Sequence, residues 1–404
     1  MAAPKLRFKE FDADWISNKI IDLADYVDYR GKTPKKVESG ILLVTAKNIK
    51  QGYLDYSVSQ EFIEPSDFDE VMRRGKVELN DVLITTEAPL GNVASVDRTD
   101  IALAQRVIKY RGKIDLLDNL FLKQKFLSES FQEILKSKAT GGTVQGIKGS
   151  VLHQIPLIVP SKQEQTKIAS FLSAVDEKIS QLTQKHELLS QYKQGMMQKL
   201  FSQQIRFKAD DGSEFGEWEE KTLGSLGVFK SGQGFPEKYQ GGKTGVPFFK
   251  VSDMNTYGNE KRMVVANNYV DADSILEMKV KVILDESIIF AKVGAAVFLE
   301  RKRLATNFLI DNNMMAFTPD PKLNINFIKQ FLDTIKFSNF VQVGALPSYN
   351  AGDLAIIPIH IPCVVEQTKI ANFLSAIDQK IDVVAQQIEQ TKQWKKGLLQ
   401  QMFV

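Results

Sequence analysis

The sequence predicts an α+β protein: two mixed α/β globules separated by two long helices that pair as a coiled coil, the whole built as a tandem repeat. Three observations carry this. First, EQTKIASFLSAVDEKI from Glu164 and EQTKIANFLSAIDQKI from Glu366 agree at thirteen of sixteen positions and stand 202 residues apart in a chain of 404. Second, each copy continues as a heptad seam. Ile168, Leu172, Val175, Ile179, Leu182, His186, Leu189, Lys193, Met196 and Leu200 follow a 4, 3 spacing throughout, which puts one stripe on one helix face. Ile370, Leu374, Ile377, Ile381, Val384, Ile388, Thr391, Lys395, Leu398 and Met402 occupy the same frame in the second copy. Third, short strand-like runs followed by a helical pattern precede each copy in the same order.

The repeat reaches beyond these helices. HQIPLIVPSKQ precedes the first and AIIPIHIPCVV the second, so Pro156 and Pro160 answer Pro358 and Pro362. Further upstream, GGTVQGIKGSVLHQIPL aligns with VGALPSYNAGDLAIIPI, GILLVTAKNI with GVPFFKVSDM, and NDVLITTEAPLGNVASV with DESIIFAKVGAAVFLE. A shared RFK, at Arg7 and at Arg206, precedes Trp15 and Trp218. The domains follow as 1–155, 156–203, 204–356 (with a linker over 204–217) and 357–404. A period this long is a duplicated domain pair rather than a solenoid unit.

A helix of about 38 residues spans about 57 Å at 1.5 Å per residue, too long to be buried in one small globule. Ser161-x-x-Glu164 after Pro160 has the form of a capping box, whereas the second copy has Cys363 at the serine position. In the first globule ILLVTA, DVLITT, NVASV and ALAQRVIKY read as strands, and DNLFLKQKFLSESFQEILKSK as helix. In the second, VPFFKV, SIIFAK, AAVFLE and NMMAFT read as strands before the helix NINFIKQFLDTIKFSNFVQ.

Composition excludes several classes. With 43% hydrophobic and 25% charged residues the chain is globular, and a net charge of +3 points to no partner by itself. A nucleic-acid binder of this charge must concentrate its basic residues locally. The single Cys363 excludes a disulfide framework and fits a reducing cytoplasm. No apolar run reaches membrane-spanning length, and the start MAAPKLRFKEFDADW carries no secretory apolar stretch. Neither GKT, at Gly31 and Gly242, makes a phosphate loop, because the positions five residues earlier hold Tyr26 and Glu237. GQGFPE at Gly232 lacks the last glycine of a dinucleotide fingerprint. Three histidines and one cysteine do not build a structural zinc site, and His186 reads as a polar seam residue answering Ile388. No catalytic constellation and no metal site emerges, so the chain is expected to act by binding.

The alternating plan, with IPLIVPSKQEQTKIASFLSAVDEKI and its copy, closely resembles the specificity subunits of type I restriction-modification systems over essentially the whole chain. The resemblance implies that each globule is a target recognition domain reading one half of a bipartite, asymmetric double-stranded DNA site. It implies an antiparallel coiled coil that sets the spacer and docks two methyltransferase subunits, to which two restriction (translocase) subunits join. S-adenosylmethionine, ATP and Mg would serve those partners, with no cofactor on this chain, so the subunit would be non-catalytic, cytoplasmic and devoted to phage defence. The physics is compatible: two similar helices in a duplicated chain can pack antiparallel, and duplex DNA repeats its groove faces about every 34 Å.

Candidate DNA contacts lie in loops between strands. The first globule offers Arg30, Lys32, Thr33, Lys47, Asn48, Thr85, Thr86 and Asn92. The second offers Lys230, Ser231, Gln233, Lys250, Lys292, Asn307, Ser348, Tyr349 and Asn350. The rival reading is a duplicated coiled-coil scaffold whose globules bind protein, and a nuclease in one globule is a third. QKLFSQQIRFKADDGSEFGEW follows the first helix, whereas the second stops at QQMFV, and the continuation resembles the N-terminal KLRFKEFDADW. The two ends of the chain are therefore expected to meet.

Overall fold

The computed structural model describes residues 4–29, 34–342 and 346–403. Two compact units divide the chain: Met1–Lys185 with Val384–Val404, and His186–Val383. The division passes through both long helices, Lys162–Phe201 and Val364–Met402. Segments drawn along the sequence follow the chain, whereas the compact units follow packing, and each unit takes one globule with part of both helices.

In the first unit, Ala24–Asp28, Val107–Gly112, Val82–Thr86 and Leu90–Ser95 form an antiparallel sheet in that order. Phe62–Ile63, Ile41–Val44 and Ile101–Leu103 form a second sheet whose last pair is parallel. The larger sheet is buried on both faces. Val82, Ile84, Ile108 and Tyr110 enter the core beneath the helices, whereas Leu83, Ala94 and Val107 enter the core under the smaller sheet. Alternate side chains go to opposite faces of a strand, and two buried faces explain why these strands read as unbroken apolar runs.

The second unit repeats this topology with Gly227–Ser231, Met314–Pro319, Ser287–Ala291 and Lys302–Ala305 in one sheet, and Tyr269–Val270, Val246–Phe249 and Leu309–Ile310 in the other. Ile288, Phe290, Met315 and Phe317 face one core, and Ile289, Met314 and Ala316 the other.

Local detail departs from the sequence reading at four places, one being the helix expected across NINFIKQFLDTIKFSNFVQ, which stops at Thr334, where Ile335 turns extended, and is followed by a 3₁₀ turn, Phe337–Phe340. ALAQRVIKY is two strands, Ile101–Leu103 and Val107–Gly112, because Arg106 adopts a left-handed φ of 68° between them. AAVFLE is a 3₁₀ turn, Ala295–Leu299, and the strand follows at Lys302–Ala305. The helix expected across DNLFLKQKFLSESFQEILKSK breaks at Ser128, whose hydroxyl caps Glu129–Ser137 by accepting from Phe131 N. A side chain that bonds the backbone competes with helix continuation.

Each long helix is entered through a two-stranded ribbon: Ile16–Lys19 with Pro156–Val159, and Glu219–Thr222 with Pro358–Ile361. The Glu-Gln pair of the repeat then ties the helix to its globule. Glu164 accepts two hydrogen bonds of 2.8 Å from Arg7 and one from Trp15 Nε1. Glu366 is held in the same way by Arg206 and Trp218 Nε1. Gln165 accepts from Asp118 N and donates to Pro160 O, and Gln367 accepts from Asn324 N and donates to Pro362 O. Asp118 and Asn324 each cap the helix that follows. Only half of the capping box forms: Ser161 Oγ accepts from Glu164 N, but the Glu164 carboxylate serves Arg7 and Trp15 instead.

Every seam position is shielded from solvent at least in part. Ile168, Leu172, Val175, Leu182, Leu200, Ile370, Leu374, Ile377, Val384, Ile388, Leu398 and Met402 are buried, and Ile179, His186, Leu189, Lys193, Met196, Ile381, Thr391 and Lys395 are half-buried. Within the first unit, Ile168, Leu172 and Val175 share a core with Leu398, Met402 and Phe403. Within the second, Met196 and Leu200 meet Ile370, Leu374 and Ile377. Early turns of one helix thus lie against late turns of the other, which is antiparallel pairing. Asp176 binds Lys395 in the first unit and Asp378 binds Lys193 in the second, the same ion pair in both copies.

The chain ends meet within the first unit. Leu6 N donates to Gln401 O at 2.9 Å, as Ile205 N donates to Lys199 O at 3.2 Å after the first helix. The N-terminal segment supplies to the second helix what residues 202–218 supply to the first.

Candidate nucleic-acid interface

Both globules place the same set of loops at corresponding ends of their sheets. The turn after the inner strand of the smaller sheet is built alike in both. Asn48 Oδ1 accepts from Thr45 N, and Asp253 Oδ2 accepts from Lys250 N. The turn after the central strand of the larger sheet leans on the next loop, through Thr86 N to Arg106 O and Lys292 N to Asn313 O. A third loop is closed by a bridge, Thr140 to Gly146 in one globule and Gln342 to Ser348 in the other.

Each globule also carries a groove, which in the first borders these loops and in the second lies beside the strand end Lys230–Gln233. In the first globule a groove of about 220 Å³ is lined by Lys36, Lys47, Thr45, Gln105 and Arg106 among others. Lys36 is paired with Glu61 at 2.7 Å and Arg106 with Glu87 at 3.7 Å, all four side chains at least partly solvated. Such pairs are weak and give way to a competing anion. In the second, a groove of about 340 Å³ is lined by Lys230, Ser231, Gln233 and Lys281. Lys230 lies 3.6 Å from Asp285, which is itself exposed. Gly232 is obligatory in this groove, because a Cβ there would stand 1.7 Å from Asp311 O. Burial raises the Asp311 carboxyl above its ordinary value, against the hydrogen bonds from Asn313.

The candidate contacts divide by what their side chains already do. Lys47, Ser231, Gln233 and Asn307 are exposed, and Thr86, Lys230, Lys250, Lys292 and Ser348 are half-buried; Thr86, Lys230 and Ser231 belong to strand ends rather than loops. Lys250 Nζ donates to Gln240 Oε1 and sits 5.2 Å from the Phe235 ring centre. Asn48 is fully buried and also donates to Asp55 O and Ser59 O, so it builds its turn. Thr85 is buried and accepts from Asn92 N, while Asn92 donates to Ile49 O. Tyr349 is buried, its hydroxyl donating to Ala291 O at 2.5 Å, and Asn350 caps the short helix Ala351–Ala355. Arg30, Lys32 and Thr33 lie outside the described residues.

Lys36, Arg106 and Lys281 line these grooves although loop reasoning passed over them. Arg106 had been hidden inside one apparent strand, and only a left-handed residue there exposes it. Lys281, in the run KVKV, carries no local signal. Among the described residues no group of three or more His, Cys, Asp or Glu side chains could hold a metal ion. No helix among the described residues is long and apolar enough to cross a membrane.

A family model described as a type I restriction modification DNA specificity domain matches residues 14–191 and again 216–393. The chain belongs to this family. Its two copies fall on the two globule-plus-helix repeats. The chain is 23% identical to the MjaVIII specificity subunit of Methanocaldococcus jannaschii, over 96% of this chain and 91% of that one. To the putative MjaX specificity subunit of the same organism it is 25% identical, over 98% and 94%. Its fold resembles the crystal structure of a type I system S subunit from M. genitalium, with a TM-score of 0.59 at 18% identity, covering 100% of this chain and 99% of that one. A chain from a structural study of type I complex assembly matches with a TM-score of 0.58 at 16% identity, over 97% and 98%. This specificity subunit thus presents two loop sets of one design on a duplicated frame.

Proposed function

We propose that this chain reads a bipartite, asymmetric duplex DNA target, one half-site per globule, with the paired helices setting the spacer. On that site it would assemble two methyltransferase and two restriction subunits, which would carry S-adenosylmethionine, ATP and Mg. The observation that carries this reading is one scaffold with unlike tips. Thr45 and Lys250 occupy corresponding places, each donating its backbone N–H to the side chain three residues on, and Thr86 with Arg106 corresponds to Lys292 with Asn313 through the same backbone hydrogen bond. Sequence is read by side chains at base edges while the backbone around them only positions, so equal loops with different side chains suit two different half-sites.

The test is genome-wide mapping of the methylated motif in cells carrying this chain with its methyltransferase. Replacing residues 15–155 with the matching globule of a relative should change one half of the motif and leave the other. Change in both halves, or in neither, sinks the modular reading. Loss of methyltransferase binding without any preference among DNA sequences would favour the protein-binding scaffold. Removing seven residues from each helix, within Leu182–Leu200 and Val384–Met402, keeps the seam in phase. It shortens the pair by about 10 Å, about three base pairs. The half-sites should survive with a shorter spacer, and an unaltered spacer would show that the helices hold the complex without measuring DNA.

A further inference from the structure

A groove of about 360 Å³ lies within the first unit between its globule and the last turns of the second helix. Lys136, Lys392, Lys395 and Lys396 line it with Gln51 and Gln132. We infer that this groove binds phosphate groups of duplex DNA, a sequence-independent contact separate from the reading loops. The inference rests on the proposal that the chain binds duplex DNA.

The charge in the groove is under-compensated. Lys395 holds Asp176 at 2.5 Å, but Lys123 also lies 3.5 Å from that carboxylate. Two ammonium groups therefore share one anion. Lys392 pairs among the described residues with Glu389 alone, one turn away on its own helix and 67% exposed, an arrangement worth little. Among the described residues neither Lys136 nor Lys396 has a carboxylate partner within ion-pair distance.

The groove is held open by a shaped wall. Gln51 and Gln132 both donate to Gly91 O, and Gln51 donates also to Asn92 Oδ1. Gly91 has a φ of 80°, and a Cβ on it would stand 2.6 Å from Gln132 Oε1. The wall is thus continuous with the strand that begins at the turn bordering Thr86.

Duplication separates frame from addition. Lys395 and Lys193 make the same ion pair in both copies, but Lys392 and Lys396 correspond to Ser190 and Gln194 in the first helix. The shared frame has no need of the extra lysines. Their chemistry fits nucleic acid better than protein. Protein interfaces are depleted in lysine and centred on aromatic side chains, whereas phosphate oxygens are met by lysine and amide side chains. Here only Leu127 and Leu399 are apolar.

The experiment measures duplex affinity against salt for the full chain with its methyltransferase, using one duplex that contains the methylated motif and one that lacks it. In the triple variant Lys136→Gln, Lys392→Gln, Lys396→Gln, Lys395 stays because it holds Asp176. All three replaced residues are exposed, so the unfolding temperature should be unchanged. The slope of log affinity on log salt should become shallower by up to about 2.7, from three contacts at about 0.9 each. The loss should be equal on both duplexes, with the methylated motif unaltered, and the Lys→Arg triple variant should keep the original slope. An unchanged slope overturns the inference. An unchanged slope with weakened methyltransferase binding overturns it in favour of an acidic protein surface. A wild-type complex whose duplex binding shows no salt dependence would instead bring down the DNA-binding proposal itself.

Discussion

Glu366→Ala should destabilise the second unit by about 3–5 kcal/mol, the cost of leaving one partner of a buried ion pair uncompensated. The Glu366 side chain is fully buried and receives Arg206 Nε at 3.1 Å, Arg206 Nη2 at 2.8 Å and Trp218 Nε1 at 3.2 Å. Truncation removes the acceptor for all three, while the Arg206 side chain is only 19% exposed. The same residues fasten the segment before the second globule to the start of its long helix, so packing is lost along with charge. Replacing both partners, Arg206→Met with Glu366→Leu, should cost clearly less, because no unpaired charge remains. Urea unfolding of the three proteins checks this. A loss below about 1 kcal/mol for the single variant would mean that the clamp contributes no more than an exposed pair. Glu164→Ala should act alike on the first unit, through Arg7 and Trp15.

Phe403→Ala should cost the first unit about 3–5 kcal/mol, as for other buried Phe→Ala changes. Phe403 is 5% exposed, its ring centre is 5.4 Å from that of Phe121, and it belongs to the core containing Leu398 and Met402. It also lies 5.7 Å from the ammonium of Lys125. Burial pushes that ammonium down to about 8 from its ordinary 10.5. The unfolded chain therefore binds more protons than the folded one between about 8 and 10.5, and stability should rise with pH across that window. Below about 8 both states hold the proton and the burial penalty is complete. Opening the cavity admits water to Lys125, so Phe403→Ala should flatten the alkaline rise, and Lys125→Met should reduce it to the share of Lys109 and Lys123, which burial also lowers. Urea unfolding of wild type and both variants at several pH values decides. An equal rise in all three would place its origin elsewhere.

The heptad positions show how far periodicity carries. Spacing identified which face of each long helix is apolar, and those positions are the shielded ones. Spacing could not say what covers them, and the cover is mixed. Ile168 and Leu172 share a core with strands and helices of the globule as well as with Leu398 and Met402. The conserved Glu-Gln pair is similar. Its repetition is visible in the sequence, and a shared partner surface is one reason to repeat it. The structure adds an internal reason, since both copies close the same clamp on an Arg-Trp lead-in and a helix cap.

The loop residues mark the limit of composition. Asn48 and Lys47 are neighbours of similar polarity, yet Asn48 turns inward to four backbone and hydroxyl groups while Lys47 remains at the groove. Nothing in the local pattern separates a polar side chain that satisfies buried backbone from one that faces solvent, because both occur in turns. Arg106 was concealed for a related reason: its strand context is apolar on both sides, and only the left-handed backbone breaks the run.

By itself the sequence determined the duplication, the two long amphipathic helices, in outline the succession of strands before a helix in each globule, and the family. These are written in identity between copies, in apolar runs and in a heptad periodicity of three and a half residues. Only the tertiary structure decided which polar residues build the frame, how Leu6 closes on Gln401, and where lysines gather with too few carboxylates. Those outcomes depend on contacts between residues far apart in the chain, such as Arg7 with Glu164, 157 positions away. Local periodicity records which side of an element avoids water, and it carries no information about which distant group will meet it.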